Sequence, residues 1–355
     1  MKKINIKEFS RLSQKKEKRR LKRLRRGGKG KSRNRSKNDR INIVIPAYLD
    51  LDENRDKFIT LLERIQDVLS KGKSFIIDHR NMKVITKEAL LLLTSEIERC
   101  TTIMGIKLRA NPKYFPKNGY VKSLLMKIGY WGYFNISLGK TKTKRENGSE
   151  LYLKIVGDTQ VSGEKIGSLI LFFEKLICFD VPTKDKFSDA MMEAAANTVE
   201  HAYSKEQDIE SINKWWLTAS LNTSTNEISF LFYDQGLGVL NTLEKTQKHI
   251  KFKRLVAGWI SEGMSKGGIL KNLVTTNLSS YKDERRGNGL ISFKTFIDEV
   301  QGGELTIYTD NVSYSAISDK IINYDASIRG TLIAWKIKAN QIDNKCIYIK
   351  GQLSQ

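Results

Sequence analysis

The chain has 355 residues, of which 40% are hydrophobic and 28% are charged, so it is long enough for two domains that each bury a core. No apolar run approaches the ~20 residues that a membrane-spanning helix needs, and no apolar segment follows the basic N-terminus as in a secretory signal. Cys100, Cys178 and Cys346 fit no metal-binding spacing, which indicates a reduced, cytoplasmic protein without structural zinc.

The net charge of +23 is concentrated in residues 1–40, the basic tail. The tail holds 19 Lys and Arg against Glu8, Glu17 and Asp39, a net charge of +16 that leaves +7 for the other 315 residues. Like-charge repulsion and few apolar residues predict disorder. We expect the tail to bind the phosphates of RNA or DNA through a basic run that includes Lys18, Arg19, Arg20, Arg23, Arg25 and Arg26. An acidic membrane surface, an acidic protein partner, or no specific role are the alternatives.

Residues 41–140 alternate strand and helix patterns, which predicts a small α/β domain. Strands are predicted at Ile41–Ala47, Ser74–Asp78 and Ile106–Ala110. Helices are predicted at Asn54–Ser70, between Thr86 and Gly105, and near Tyr120–Ile128. Thr86 can cap the second of these helices and Gly105 can end it.

This element order resembles the STAS fold of sulfate transporters and anti-sigma-factor antagonists, over about 100 residues. In that family a D-S-S-G sequence opens a helix, and its second serine accepts a phosphate. The corresponding stretch here is V-I-T-K-E-A at residues 84–89, and Glu88 stands at the phosphorylated position. The resemblance therefore implies a fixed negative charge instead of a phosphorylation switch. An unrelated small α/β scaffold is the alternative.

A polar linker is predicted at 141–150, a second α/β domain at 151–340 and a C-terminal extension at 341–355. The strands expected in the second domain are Leu151–Val156, Trp215–Leu221, Glu227–Asp234, Glu304–Thr309 and Thr331–Lys338. The expected helices are Gly163–Cys178, Asp185–Ala202 and 289–299. A long segment rich in Lys, Ser and Gly between Val239 and Arg285 is interpreted as a mobile lid.

The first chemical motif is E-A-A-A-N-T-V-E-H at 193–201. Glu193, Asn197 and His201 recur every four residues, so they share one face of an α-helix. The amide oxygen of Asn197 suits Mg²⁺, and Glu193 can act as a general base. His201 is interpreted as a structural residue or a hydrogen-bond donor to phosphate. A solvated helix face is the alternative.

The second motif is D-Q-G-L-G at 234–238, at the end of an apolar strand. The carboxylate of Asp234 can accept a hydrogen bond from an adenine amino group. Gly236 and Gly238 allow a sharp turn close to the base. An ordinary tight turn is the alternative interpretation.

Two further motifs complete the set. R-R-G-N-G at 285–289 precedes a helix, and Gly287 and Gly289 suit a phosphate-binding loop at its N-terminus. Arg285 or Arg286 could neutralise charge on the γ-phosphate. In R-G-T at 329–331, Thr331 could hold a water beside the base.

The order of these motifs resembles the GHKL superfamily of gyrase, histidine kinases and MutL proteins, over roughly residues 150–340. The asparagine motif looks most like that of the anti-sigma-factor serine kinases. The resemblance implies a Bergerat-fold α/β sandwich that binds ATP and Mg²⁺, with Glu193 as base, Asn197 as Mg²⁺ ligand and Asp234 as adenine reader. It also implies that Gly236 and Gly238 lie near the base, that Gly287 and Gly289 belong to the lid, and that Thr331 lies beside adenine. The lid is longer than in anti-sigma kinases, and no lysine-bearing second domain follows Thr331.

Three functions remain open for what is expected to be a cytoplasmic protein of bacterial type. The first is a regulatory ATP-binding protein, with slow hydrolysis, whose lid closure controls binding of a protein or nucleic acid. The second is a serine/threonine kinase of the anti-sigma-factor type. The third is a nucleic-acid-binding adaptor with structural nucleotide. The resemblance also implies a possible homodimer.

Overall fold

The structure is a computed structural model that describes residues 41–71, 75–134, 150–174, 177–179, 181–203, 211–245, 250–276, 289–300, 303–338 and 347–349. The strands are β1 (Ile41–Val44), β2 (Tyr48–Leu49), β3 (Phe75–Asp78), β4 (Val84–Ile85), β5 (Glu150–Asp158), β6 (Ile177–Phe179), β7 (Trp215–Asn222), β8 (Glu227–Asp234), β9 (Gly303–Ser315), β10 (Lys320–Lys338) and β11 (Ile347–Ile349). The helices are α1 (Arg55–Ser70), α2 (Lys87–Met104), α3 (Gly119–Lys127), α4 (Gly163–Glu174), α5 (Val181–Asn197), α6 (Val239–Lys245), α7 (Ile250–Ser261), α8 (Lys266–Thr275) and α9 (Gly289–Val300). This mixture of helices and strands confirms the general α/β class.

The centre of the molecule is a five-stranded sheet in the order β5-β7-β8-β10-β9. Every neighbouring pair in it is antiparallel. The register places Thr331 of β10 beside Asp234 at the end of β8, and beside Thr309 of β9 on its other edge. The end of β8 therefore lies between Thr331 of β10 and Trp215 of β7.

Both faces of this sheet are covered. Side chains alternate along a strand, so the two faces of β8 can be separated by residue number. One face packs against helices α4, α5, α8 and α9, and its β8 residues are Ile228, Phe230 and Phe232. The other face packs against the segment 41–134, here called the first segment, and its β8 residues are Leu231 and Tyr233. The protein thus has a helical layer, the sheet, and the first segment as a third layer.

The first segment contains two short parallel strand pairs, β1 with β3 and β2 with β4. Helix α2 begins as the sequence predicts, because the Thr86 hydroxyl oxygen accepts a hydrogen bond from the Ala89 amide at 3.2 Å. It ends at Gly105, whose φ of 62° is a left-handed conformation that glycine adopts without strain. The predicted ends of helix α2 are therefore confirmed.

Two of the predicted elements were wrong. Residues 106–110 form no strand, and Ile106 is exposed where a half-buried strand would need an inward apolar residue. The helix expected to reach Cys178 ends at Glu174, and the apolar residues after it form β6, which pairs with β11 of the C-terminal extension. The segment interpreted as a lid contains helices α6, α7 and α8, and its residues 246–249 and 277–288 lie outside the described residues, so the lid stays a prediction.

Candidate functional site

The loop that follows β8 lies directly against the π-helical turn Thr198–Ala202, which follows helix α5. The amide of Leu237 donates to the carbonyl oxygen of Ala202 at 2.8 Å. A Cβ atom on Gly236 would lie 2.3 Å from that same oxygen. Glycine is therefore required at 236 because the loop and the helix end approach each other closely, and this approach brings the first two motifs together.

Asp234 is the buried acid of this loop. Its Oδ1 atom accepts a hydrogen bond from the Gly236 amide at 2.8 Å, and the Thr331 backbone provides a second hydrogen bond. Burial nevertheless raises the pKa of Asp234 to about 7, because the removal of water outweighs the two hydrogen bonds. A ligand that donates to this carboxylate would stabilise its charged form, as an exocyclic amino group can.

The R-G-T segment holds the other side of the loop. Gly330 has a φ of 75°, and a Cβ atom there would lie 1.9 Å from the Asp234 carbonyl oxygen. The Thr331 hydroxyl oxygen accepts from the Val239 amide at 3.1 Å, and Thr309 donates its hydroxyl to the Gly330 carbonyl at 3.2 Å. Thr331 thus fastens the start of helix α6 to the sheet, a role that sequence reasoning did not foresee.

Helix α5 does not continue as a regular α-helix through its motif. Glu193 and Asn197 are half-buried in its last two turns, and residues Thr198–Ala202 form a π-helical turn. The regular α-helical spacing of the motif therefore extends only as far as Asn197, and the place of His201 on the face of Glu193 and Asn197 stays a prediction. His201 is exposed, with its Nε2 atom 3.9 Å from Glu200 Oε2. Single π-helical turns are frequent at functional sites.

Several of the predicted residues cannot be placed. Arg285, Arg286 and Gly287 lie outside the described residues, and Gly289 is the first residue of helix α9. The basic tail also lies outside them, including Lys18, Arg19, Arg20, Arg23, Arg25 and Arg26. Within the described ranges, no three His, Cys, Asp or Glu side chains converge as metal ligands.

Gln235, the second residue of D-Q-G-L-G, has contacts that sequence reasoning missed. Its Nε2 atom donates to Oε2 of Glu96 in helix α2 at 2.9 Å, and Glu96 also forms an ion pair with Arg99. The backbone amide of Gln235 donates to the Tyr203 hydroxyl at 3.0 Å. The signal that could have found the contact is the alternation along β8, which turns Gln235 away from the face of Asp234.

Neither a scan against models of protein families nor a search of curated proteins found a match. None of the helices in the described ranges has the length and apolar character to span a membrane.

Proposed function

We propose that the chain is a regulatory protein that binds ATP with Mg²⁺ at the end of β8 and hydrolyses it slowly. The observation that carries this proposal is the junction of the D-Q-G-L-G loop with the end of helix α5, made by Leu237 and Ala202. It joins the buried Asp234 carboxylate to the helix that bears Glu193 and Asn197. In the GHKL superfamily, the corresponding elements recognise adenine and Mg²⁺.

Each residue has a chemical role in this proposal. Asp234 accepts a hydrogen bond from the adenine amino group. This hydrogen bond favours binding because the carboxylate is otherwise poorly solvated. Asn197 presents its amide oxygen to Mg²⁺. Glu193, one turn earlier on the helix, orients and deprotonates a water or hydroxyl. The bound nucleotide would supply the phosphoanhydride bond that this nucleophile attacks.

The architecture supports the same assignment. An antiparallel sheet with helices packed on one face is compatible with the α/β sandwich that the GHKL resemblance implies. Glu88, the residue at the STAS phosphorylation position, has a side chain only 13% exposed and lies 3.9 Å from Lys336 of the sheet. Its negative charge therefore faces the sheet of the proposed ATP-binding part of the chain.

A kinase of the anti-sigma-factor type is the second candidate, favoured by the asparagine motif. The two candidate functions differ in the group that accepts the γ-phosphate. In the kinase, Glu193 would activate a serine or threonine hydroxyl instead of water. Incubation with γ-labelled ATP and candidate partners separates them. Labelled phosphoprotein supports the kinase, whereas free labelled phosphate alone supports the regulatory protein that hydrolyses ATP slowly.

The binding proposal is tested by calorimetric titration of ATP-Mg²⁺ into the wild-type protein and two variants. Asp234→Asn should weaken binding about 10- to 100-fold, since it removes a charged hydrogen-bond acceptor. Glu193→Gln should retain binding and lose hydrolysis. Failure of the wild-type protein to bind, or equal affinity for Asp234→Asn, would refute the proposal.

The basic tail provides a third, separable candidate, a nucleic-acid-binding adaptor. Deletion of residues 1–40 should then abolish RNA or DNA binding. With six to ten phosphate contacts, affinity should fall about 10³- to 10⁵-fold between 50 and 200 mM salt. Binding that does not depend on salt would exclude the tail from nucleic-acid recognition.

A further inference from the structure

Two consecutive residues at the end of β8 serve opposite faces of the sheet. Even-numbered β8 side chains pack among the helices, and odd-numbered ones pack against the first segment. Asp234 continues the first series towards helix α5. Gln235 continues the second and meets Glu96 of helix α2. The loop of the proposed nucleotide site is therefore held directly by the first segment.

The contact with helix α2 is buried and charged. Glu96 is 5% exposed, Arg99 3% and Gln235 2%. Glu96 accepts from Arg99 Nε at 3.0 Å and from Gln235 Nε2 at 2.9 Å, both at its Oε2 atom. In a water-poor environment such a network fixes the positions of its members more tightly than apolar contacts do. Gln235 thus has little freedom to move relative to helix α2.

The same network reaches the other parts of the site. The backbone amide of Gln235 donates to the hydroxyl of Tyr203, the residue that follows the π-helical turn of the asparagine motif. Arg329 of the R-G-T segment is half-buried nearby, where burial and Arg99 lower its pKa and Glu96 opposes them. Helix α2 therefore contacts the D-Q-G-L-G motif directly, and its charged residues act on Arg329 of the R-G-T segment.

The Gln235 side chain is not explained by stability alone. Its Oε1 atom is buried and has no hydrogen-bond partner within the described residues. An unsatisfied buried acceptor costs free energy that an apolar side chain of similar size would avoid. The presence of a glutamine at this position is therefore best explained by its side-chain N–H donor, which holds the loop against Glu96.

We infer that Glu96 and Gln235 are positioning residues through which the first segment controls nucleotide affinity at the loop after β8. This inference rests on the proposed ATP function. By thermodynamic reciprocity, nucleotide that orders the loop must also tighten the packing of helix α2. Nucleotide binding then changes the packing of the first segment, and the packing of the first segment changes the affinity for nucleotide.

The sharpest variant is Gln235→Met, which removes both the donor and the unsatisfied acceptor at similar volume. We expect unchanged or higher thermal stability together with a loss of ATP-Mg²⁺ affinity on the order of 10-fold. Glu98→Gln is the matched control. Glu98 also reaches from helix α2 to the sheet, but it contacts Lys214 and Trp216 instead of the loop. Its variant should bind nucleotide as the wild-type protein does.

Hydrogen exchange on the wild-type protein provides a measurement that needs no variant. Addition of ATP-Mg²⁺ should slow exchange of the helix α2 amides around Glu96. Two results would overturn the inference and leave the proposed function intact. One is that Gln235→Met binds ATP-Mg²⁺ with the same affinity as the wild-type protein. The other is that the wild-type protein binds ATP-Mg²⁺ with no change in the exchange of the helix α2 amides. Wild-type protein that binds no ATP-Mg²⁺ would overturn both.

Discussion

At the scale of single residues, Asp234 has the most unusual environment of the proposed site residues. Its carboxyl is buried at the end of a strand, and burial raises its pKa from 3.8 to about 7. A group with a raised folded-state pKa contributes fully to stability below its unfolded value, and that contribution is lost as pH rises through the folded value. Near pH 7 the folded protein therefore carries a penalty that a donating ligand can relieve.

Asp234→Asn should remove this penalty. Relative to the wild-type protein, its free energy of unfolding should rise on the order of 4 kcal/mol between pH 4 and pH 8, because asparagine does not ionise. Denaturant titrations at several pH values measure the difference. His79 is buried with its pKa lowered to about 4, but its contribution is present in both proteins and cancels.

Asp298→Asn is the control for this series. Asp298 lies on the exposed side of helix α9, with its side chain 48% exposed in an ion pair with Lys294. Its replacement should change stability by less than about 1 kcal/mol at every pH. A pH-independent difference for Asp234→Asn would contradict the assigned burial of that carboxyl.

At the scale of elements, the approach of β10 to β8 depends on Gly330. A methyl group there would meet the Asp234 carbonyl oxygen at 1.9 Å, and the residue has a positive φ. Gly330→Ala should therefore lower the free energy of unfolding by about 1–3 kcal/mol and weaken ATP-Mg²⁺ binding, because the loop must shift. Thermal denaturation and calorimetry measure the two effects.

Gly167→Ala is the matched substitution for Gly330→Ala. Gly167 lies within helix α4, and a Cβ atom there would meet nothing within 4 Å. Alanine should stabilise this helix by about 0.5–1 kcal/mol. Equal effects of the two substitutions would show that the close approach at Gly330 does not constrain the loop.

Helix α2 could be predicted from the sequence because its signals are local. Thr86 and Gly105 mark its ends, and each acts within one turn of the helix. The apolar run before Cys178 could not be assigned in the same way, since only its pairing with distant β11 makes part of it a strand. The π-helical turn after Asn197 has no sequence signal that we recognise.

The candidate site was predictable only where its signals are local in the sequence. Asp234 and its glycines were recognisable as a motif, but the packing of Gly236 against Ala202 and of Gly238 against Thr309 depends on tertiary approach. The contact of Gln235 with Glu96 joins residues 139 positions apart. The continuous apolar run of β8 did indicate burial on both faces, a signal that the division into two separate domains overlooked.

At the scale of the whole molecule, the first segment and the sheet share a core. Trp216 is fully buried in that core, and its Nε1 atom donates to Glu98 of helix α2 at 2.6 Å. We therefore expect one cooperative unfolding transition for the two parts, with coincident denaturant midpoints by tryptophan fluorescence and far-ultraviolet circular dichroism. Two separated transitions would contradict a common core.

Trp216→Ala should lower the free energy of that transition by about 3–5 kcal/mol, because it leaves a cavity between the two layers. Leu171→Ala is the control, since Leu171 is 58% exposed on helix α4 and its loss should cost little. A Trp216→Ala variant that melts like the wild-type protein would show that the first segment is not held by the sheet.

The central claim is that ATP and Mg²⁺ bind where the D-Q-G-L-G loop meets helix α5. The most direct test is a crystal structure of the full chain with a non-hydrolysable ATP analogue and Mg²⁺. The account predicts the adenine amino group within hydrogen-bond distance of the Asp234 carboxylate and the Mg²⁺ ion on the Asn197 amide oxygen. An analogue bound elsewhere, or bound here with Asp234 facing away from the base, would contradict it.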